Sequence, residues 1–181
     1  MLVVIGLGAN LGDRLATLRS AREELSLRGS LVACSKVYET APIGPRQPDF
    51  LNAAVLLQTS LSAVELLEEV LGIERVHGRE RRERWGPRTL DLDLLWSDGP
   101  AVTSPNLTLP HPRVVERAFA LAPLLDVFPV HPARARFEAH FQRSDRAGVR
   151  SVAVTTEWRP VGPEGLSESA VETPKGSSVA N

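Results

Sequence analysis

Two aspartates, Asp91 and Asp93, stand in a run from Thr89 to Trp96 where leucines at 90, 92 and 94 alternate with polar residues. That period belongs to a strand, in which side chains i and i+2 share a face about 7 Å apart. Both carboxylates therefore project together while the leucines turn into a core. Aspartate is depleted in strands and like charges repel, so the pair needs a counterion. With no histidine or cysteine alongside, the two acids suit hard, oxygen-liganded Mg²⁺, which completes its shell with waters and substrate phosphates. A solvated sheet face paired with arginines accounts for the same pattern.

The residues before the diacid carry the opposite charge. From Arg75 to Arg88 there are arginines at 75, 79, 81, 82, 84 and 88 against Glu80 and Glu83, a net charge of +4. Gly78, Gly86 and Pro87 in the same stretch predict a mobile loop rather than a continuous helix. A cationic loop beside a diacid is sensible if a polyphosphate sits between them, with arginine forks on its oxygens and Mg²⁺ bridging it to the carboxylates. Trp85 is placed either to close over a base or to anchor the loop. His111, Arg113 and Arg117 add donors after Pro110. Gly6, Gly8 and Gly12 approximate a dinucleotide-binding turn, but that turn requires a parallel sheet, and tight-turn geometry is the expected use of these glycines.

The elements that must position these groups are legible in outline. Met1 to Gly8 reads as a buried strand. A helix opened near Asn10 follows, with Leu15, Leu18, Ala21, Leu25 and Leu27 on one face, Asp13 in its first turn and Gly29 at its end. Leu31 to Thr40 and Phe50 to Gln58 are strand-forming runs separated by a Pro- and Gly-rich loop. Ser60 or Ser62 caps a second helix, with Glu65 completing a capping box and Val64, Leu67, Val70, Leu71 and Ile73 on its apolar face. Residues 113–125 read as a helical segment interrupted by Pro123, 133–144 as a helix and 149–156 as a last strand. Two successive strands without a crossover helix predict an α+β fold of the ferredoxin-like, split βαβ kind: a mainly antiparallel sheet with helices on one face.

Composition bounds the rest. At 181 residues with 43% hydrophobic content, one domain is expected over residues 1–159, followed by a disordered tail over 160–181, which is rich in Pro, Gly, Ser and Glu. The 21 basic and 22 acidic residues nearly cancel, so no overall field draws the chain to nucleic acid or an anionic membrane. No apolar run approaches the roughly 18 residues that span a bilayer, and no signal peptide is visible. A cytoplasmic protein is expected. The single cysteine, Cys34, permits no internal disulfide or zinc pair and reads as a buried strand residue.

The run Arg84 to Leu95, with Trp85-Gly86-Pro87-Arg88 ahead of the two aspartates, resembles the signature of the 6-hydroxymethyl-7,8-dihydropterin pyrophosphokinase family. Three further blocks agree in order: Gly8 to Asp13, Tyr38 to Asn52, and Leu109 to Phe119. The resemblance implies a folate-pathway enzyme that moves pyrophosphate from ATP to the pterin alcohol 6-hydroxymethyl-7,8-dihydropterin and releases AMP. It implies that Asp91 and Asp93 ligate two Mg²⁺ ions, and that Arg81, Arg88, His111 and Arg117 contact the triphosphate. Trp85 falls on a closing loop, with Arg81 and Arg88 counted beside the two acids as catalytic. Thr40, Ala41, Ile43, Phe50, Asn52 and Phe119 fall on the pterin contacts, with the two phenylalanines sandwiching the ring. ATP and the pterin are then the partners of a monomer or weak dimer, with no nucleic acid and no membrane. Ala9 replaces a serine common in the family, Leu71 a glutamine and Phe50 a tyrosine of some members, so one polar contact near the nucleotide is in doubt. The rival from another class is an RNA-binding module, since split βαβ sheets often bind RNA through aromatics exposed on central strands. A nicotinamide-binding protein is a more distant one.

Overall fold

A computed structural model of the chain describes residues 1–78, 86–152 and 158. Arg81 and Trp85, most of the cationic loop, the second half of the expected last strand and the expected tail lie outside the described residues.

The chain runs β1 (Leu2–Ala9), α1 (Arg14–Ser26), β2 (Ser30–Cys34), β3 (Val37–Thr40), β4 (Phe50–Gln58), α2 (Ala63–Val76) and β5 (Asp91–Ser97). A small hairpin of β6 (Val102–Thr103) and β7 (Thr108–Leu109) follows, then a 3₁₀ turn (Val114–Glu116), α3 (Ala118–Val127), α4 (Arg134–Arg143) and β8 (Val149–Val152). The main sheet has the order β5-β1-β4-β3-β8, with β2 also on β4, and every pairing is antiparallel. The fold is α+β and ferredoxin-like, as expected, and among the described residues no strands pair in parallel, the arrangement a nicotinamide-binding turn requires.

The helices cover two faces rather than one. Leu18, Ala21 and Leu25 of α1 and Leu66, Val70 and Ile73 of α2 pack on Val3, Ile5 and Leu7 of β1. Leu121, Leu124 and Val127 of α3 with Phe137 of α4 pack on Val4, Ala54, Leu56 and Trp96 from the other side. The cause is in β4, where Leu51 to Leu57 are buried without alternation, the pattern of a strand that needs cover on both faces.

Other local expectations also change. The run Leu31 to Thr40 is two strands, because Ser35 leaves the ladder: its hydroxyl accepts the Ala54 N–H while its own N–H donates to the Ala54 carbonyl. Asp13 is the N-cap of α1, accepting the Ala16 N–H, rather than a first-turn acid. The Ser62–Glu65 capping box is present, but Val64 faces solvent and Leu66 takes its place in the core. Pro123 lies inside α3 without ending it. Its missing N–H costs only the bond to the Phe119 carbonyl, and the burial of Leu121, Leu124 and Val127 holds the turns around it. Cys34 is buried as expected, and burial raises its thiol pKa.

Candidate active site

In an antiparallel sheet, the end of one strand meets the starts of its neighbours. The end of β1 therefore lies between the start of β4 and the start of β5, with Gly8 opposite both Asn52 and Asp91, and Gly6 opposite both Ala54 and Asp93. On the face toward α3, the two glycines leave the central strand without side chains. A cleft of about 260 Å³ opens above them.

A Cβ built on Gly8 would lie 3.2 Å from Asn52 Oδ1 and 3.8 Å from Asp91 Cβ and Phe50 Cδ1, and one on Gly6 would lie 3.1 Å from Leu95 Cδ1. Gly6 and Gly8 are thus the floor of the cleft and not turn residues, which corrects the sequence reading. Only Gly12 of that trio has a positive φ, 63°.

Asp91 and Asp93 stand along one wall, half-buried on the same face of β5, while Leu92 and Leu94 enter the core behind them. The alternation ends at a bulge opposite Val4 and Ile5, after which Leu95 and Trp96 both join the α3–α4 cluster. Arg88 Nη1 donates to Asp91 Oδ2 at 2.6 Å. His111 is fixed by its backbone N–H on the Leu95 carbonyl (2.9 Å), and its Nδ1 accepts the Arg113 N–H (3.2 Å). A neutral ring therefore carries its proton on Nε2. Burial, then Arg117 and Arg113, lowers the His111 pKa against the opposing pull of Asp91. Arg117 is likewise lowered by burial and by Arg113, and raised by Asp93 and Asp91. The arginines and acids thus sense one another across one space.

The opposite wall is apolar with a few polar groups. Phe50, Phe119, Ala41, Ile43, Ala120 and Pro123 line it, and Arg117 Cζ lies 5.8 Å from the Phe119 ring centroid. Asn52 Nδ2 donates to Thr40 Oγ1 at 2.7 Å, with both residues buried. That bond fixes the amide orientation, so Asn52 presents its oxygen over Gly8.

All the expected site residues within the described part of the chain line this one cleft: Thr40, Ala41, Ile43, Phe50, Asn52, Arg88, Asp91, Asp93, His111, Arg117 and Phe119. Gln47, Arg113 and Leu95 line it as well. Glu74, 1% exposed at the end of α2, was absent from the sequence reading; its Oε1 accepts the Leu92 N–H at 2.7 Å and so fastens β5 between the two aspartates. Its signal was an acid one turn beyond Val70 on the buried face of a helix. Among the described residues, no group of three or more His, Cys, Asp or Glu side chains is arranged to hold a metal ion, and no helix is long and apolar enough to cross a membrane.

Residues 4–129 match the family model described as 7,8-dihydro-6-hydroxymethylpterin-pyrophosphokinase. A Synechocystis protein named 2-amino-4-hydroxy-6-hydroxymethyldihydropteridine pyrophosphokinase is 44% identical over 128 residues, covering 70% of this chain and 66% of its own. A Bacillus subtilis protein of the same name is 42% identical over 149 residues, covering 81% and 87%. A crystal structure of Plasmodium falciparum HPPK-DHPS with SDX-DHP superposes with a TM-score of 0.60 at 14% identity, over 88% of this chain and 48% of that one. That likeness is one of fold, and the chain spans about half of the solved structure and about two thirds of the Synechocystis relative.

Proposed function

The chain belongs to the 7,8-dihydro-6-hydroxymethylpterin-pyrophosphokinase family, and on that premise we propose that it transfers pyrophosphate from ATP to the hydroxymethyl group of 6-hydroxymethyl-7,8-dihydropterin in folate biosynthesis. One observation carries the reading. A diacid and a cationic rim share a glycine floor with a wall of two aromatic rings and an oriented amide, so a triphosphate and a flat heterocycle fit side by side.

Asp91 and Asp93 are the residues that would hold Mg²⁺. Two hard oxygen donors on one face of β5 fit that ion, whose remaining positions would be open to phosphate oxygens and water. When bound, magnesium neutralises phosphate charge and polarises phosphoryl oxygens. The chain's own groups do the remaining work. Arg88, Arg113 and Arg117 clamp phosphate oxygens, and His111, held neutral at its lowered pKa, donates from Nε2. Phe50 and Phe119 stack on the pterin faces, and the Asn52 oxygen accepts from an N–H on the ring edge. Arg81 and Trp85, outside the described residues, join the nucleotide side by the resemblance.

The pterin hydroxyl oxygen forms a bond to the β-phosphorus as the bond between that phosphorus and the α,β-bridging oxygen breaks. The hydroxyl proton passes to water and AMP leaves. No protein nucleophile takes part, so the acceleration comes from positioning and charge stabilisation. We place this activity in a single domain over residues 1–159.

The RNA-binding alternative is disfavoured by β1 and β4, which are buried along most of their length and carry one aromatic side chain between them, Phe50 in the cleft. Incubation with ATP, Mg²⁺ and the reduced pterin alcohol, followed by mass spectrometry, should give AMP and pterin pyrophosphate in equal amounts. ADP in place of AMP, or no pterin product, would refute the assignment.

A further inference from the structure

Helix α3 and strand β3 line two hollows. Phe119 and Thr40 belong to the cleft. Leu125 and Asp126 of the same helix and Tyr38 of the same strand line a separate depression of about 570 Å³, with Phe141 of α4, Arg146 and Val149 among its other walls. Tyr38 and Thr40 share one face of β3, about 7 Å apart, so the two hollows adjoin along the sheet. No residue of the second enters the chemistry above. Asp126 Oδ2 accepts the Lys36 N–H (3.0 Å) and the Tyr38 hydroxyl (2.8 Å), which leaves Oδ1 without a donor among the described residues. Burial, then the bond to Asp126 and its charge, push the Tyr38 pKa up, so that hydroxyl keeps its proton and goes on donating. Arg146 holds its guanidinium 5.4 Å from the Phe141 ring centroid and has no ion pair among the described residues. The ring engages one face of the guanidinium and leaves its N–H edges open to a carboxylate.

We infer that this depression is a second ligand site, for a small aromatic zwitterion: a flat ring with an anionic group on Arg146 and a cationic donor on Asp126 Oδ1. Opposite charges that border one hollow without pairing with each other select a ligand carrying both complements. Leu125, Phe141 and Val149 supply the apolar contact that suits a ring, and the volume is that of a small-molecule site. The site stands outside the cleft, so the inference is independent of the proposed function.

Three probes test it by titration of the full chain, followed through its ¹H–¹⁵N amide shifts. 4-(Aminomethyl)benzoate carries both charges across a ring, benzoate lacks the ammonium, and benzylamine lacks the carboxylate. The zwitterion should bind at least about tenfold more tightly than either of the others, since each forgoes one charge-assisted contact. Its shifts should fall on Tyr38, Leu125, Asp126 and Val149 and spare Gly6 and Gly8 on the cleft floor. Benzoate examines the Asp126 end without a substitution that would break the bonds from β3.

Arg146→Gln examines the other end. Arg146 is exposed and its backbone carbonyl still accepts the Val149 N–H, so the variant should melt close to wild type. It should bind the zwitterion about tenfold more weakly and benzylamine within about twofold of wild type. Equal affinities for the three probes, shifts centred on the cleft, undiminished zwitterion binding by Arg146→Gln, or no saturable binding up to about 10 mM would each overturn the inference while leaving the proposed function standing.

Discussion

Gly8→Ala places one methyl group on the floor of the cleft. The backbone tolerates it, since Gly8 is not among the described glycines with a positive φ, which are Gly12, Gly44 and Gly78. The new Cβ would meet Asn52 Oδ1 at 3.2 Å, tighter than ordinary contact, while Asp91 Cβ and Phe50 Cδ1 at 3.8 Å are at normal van der Waals distance. Asn52 is buried and held by Thr40, so it yields only a few tenths of an ångström, at a cost of about 1 kcal/mol. Loss of glycine's freedom in the unfolded chain returns about 0.4–1 kcal/mol. The two nearly cancel, and melting should move by less than about 3 °C. Ligand affinity has no such compensation. A methyl group intruding under a closely packed ring costs about 1–3 kcal/mol, or roughly five- to 150-fold in Kd. Calorimetric titration with the pterin alcohol, beside a thermal melt, separates the two effects. A folded Gly8→Ala protein with wild-type pterin affinity would show that nothing binds over that floor.

Glu74→Ala should remove about 1–3 kcal/mol of stability by leaving the Leu92 N–H buried and unmatched, whereas Glu74→Gln retains an acceptor and should lose less; equal losses in urea unfolding would contradict the anchoring role. Ser62→Ala breaks the capping box of α2 and should cost about 1 kcal/mol with turnover unchanged, so an unshifted melting curve would count against it. The lowered pKa of His111 means that the unfolded chain takes up a proton near pH 6.5 while the folded ring resists. The wild type should therefore lose stability as pH falls from 7 to 5, and His111→Gln should lose less in a pH series of melts; identical slopes would remove His111 from the acid response.

Phe50 and Asn52 were legible only through the family resemblance, whereas the diacid was legible because alternation of period two assigns each side chain to a face without reference to the rest of the chain. The glycine floor was not, because Gly6 and Gly8 acquire meaning only when β1 lies between β4 and β5. Asn10 read as the start of a helix, since a polar residue after a strand signals a cap, yet its partners are 37 to 78 residues away. Ser35 likewise interrupts a continuous strand-forming run through a bond to Ala54 that no local pattern announces. The second helical layer was hidden for a related reason: β4 is apolar apart from Asn52 and its last residue, Gln58, and such a run does not say which later helix will cover its second face.

The central claim is that Asp91 and Asp93 meet the cationic rim through a nucleotide-bound divalent ion. Affinity for α,β-methylene-ATP, measured in Mg²⁺ and again in excess chelator, tests it directly in the wild type and in Asp91→Asn and Asp93→Asn. The wild type should bind at least about tenfold more tightly with Mg²⁺, and either variant should lose most of that gain while still melting cooperatively. Equal wild-type affinity in chelator, or full Mg²⁺ dependence retained by both variants, would contradict the account.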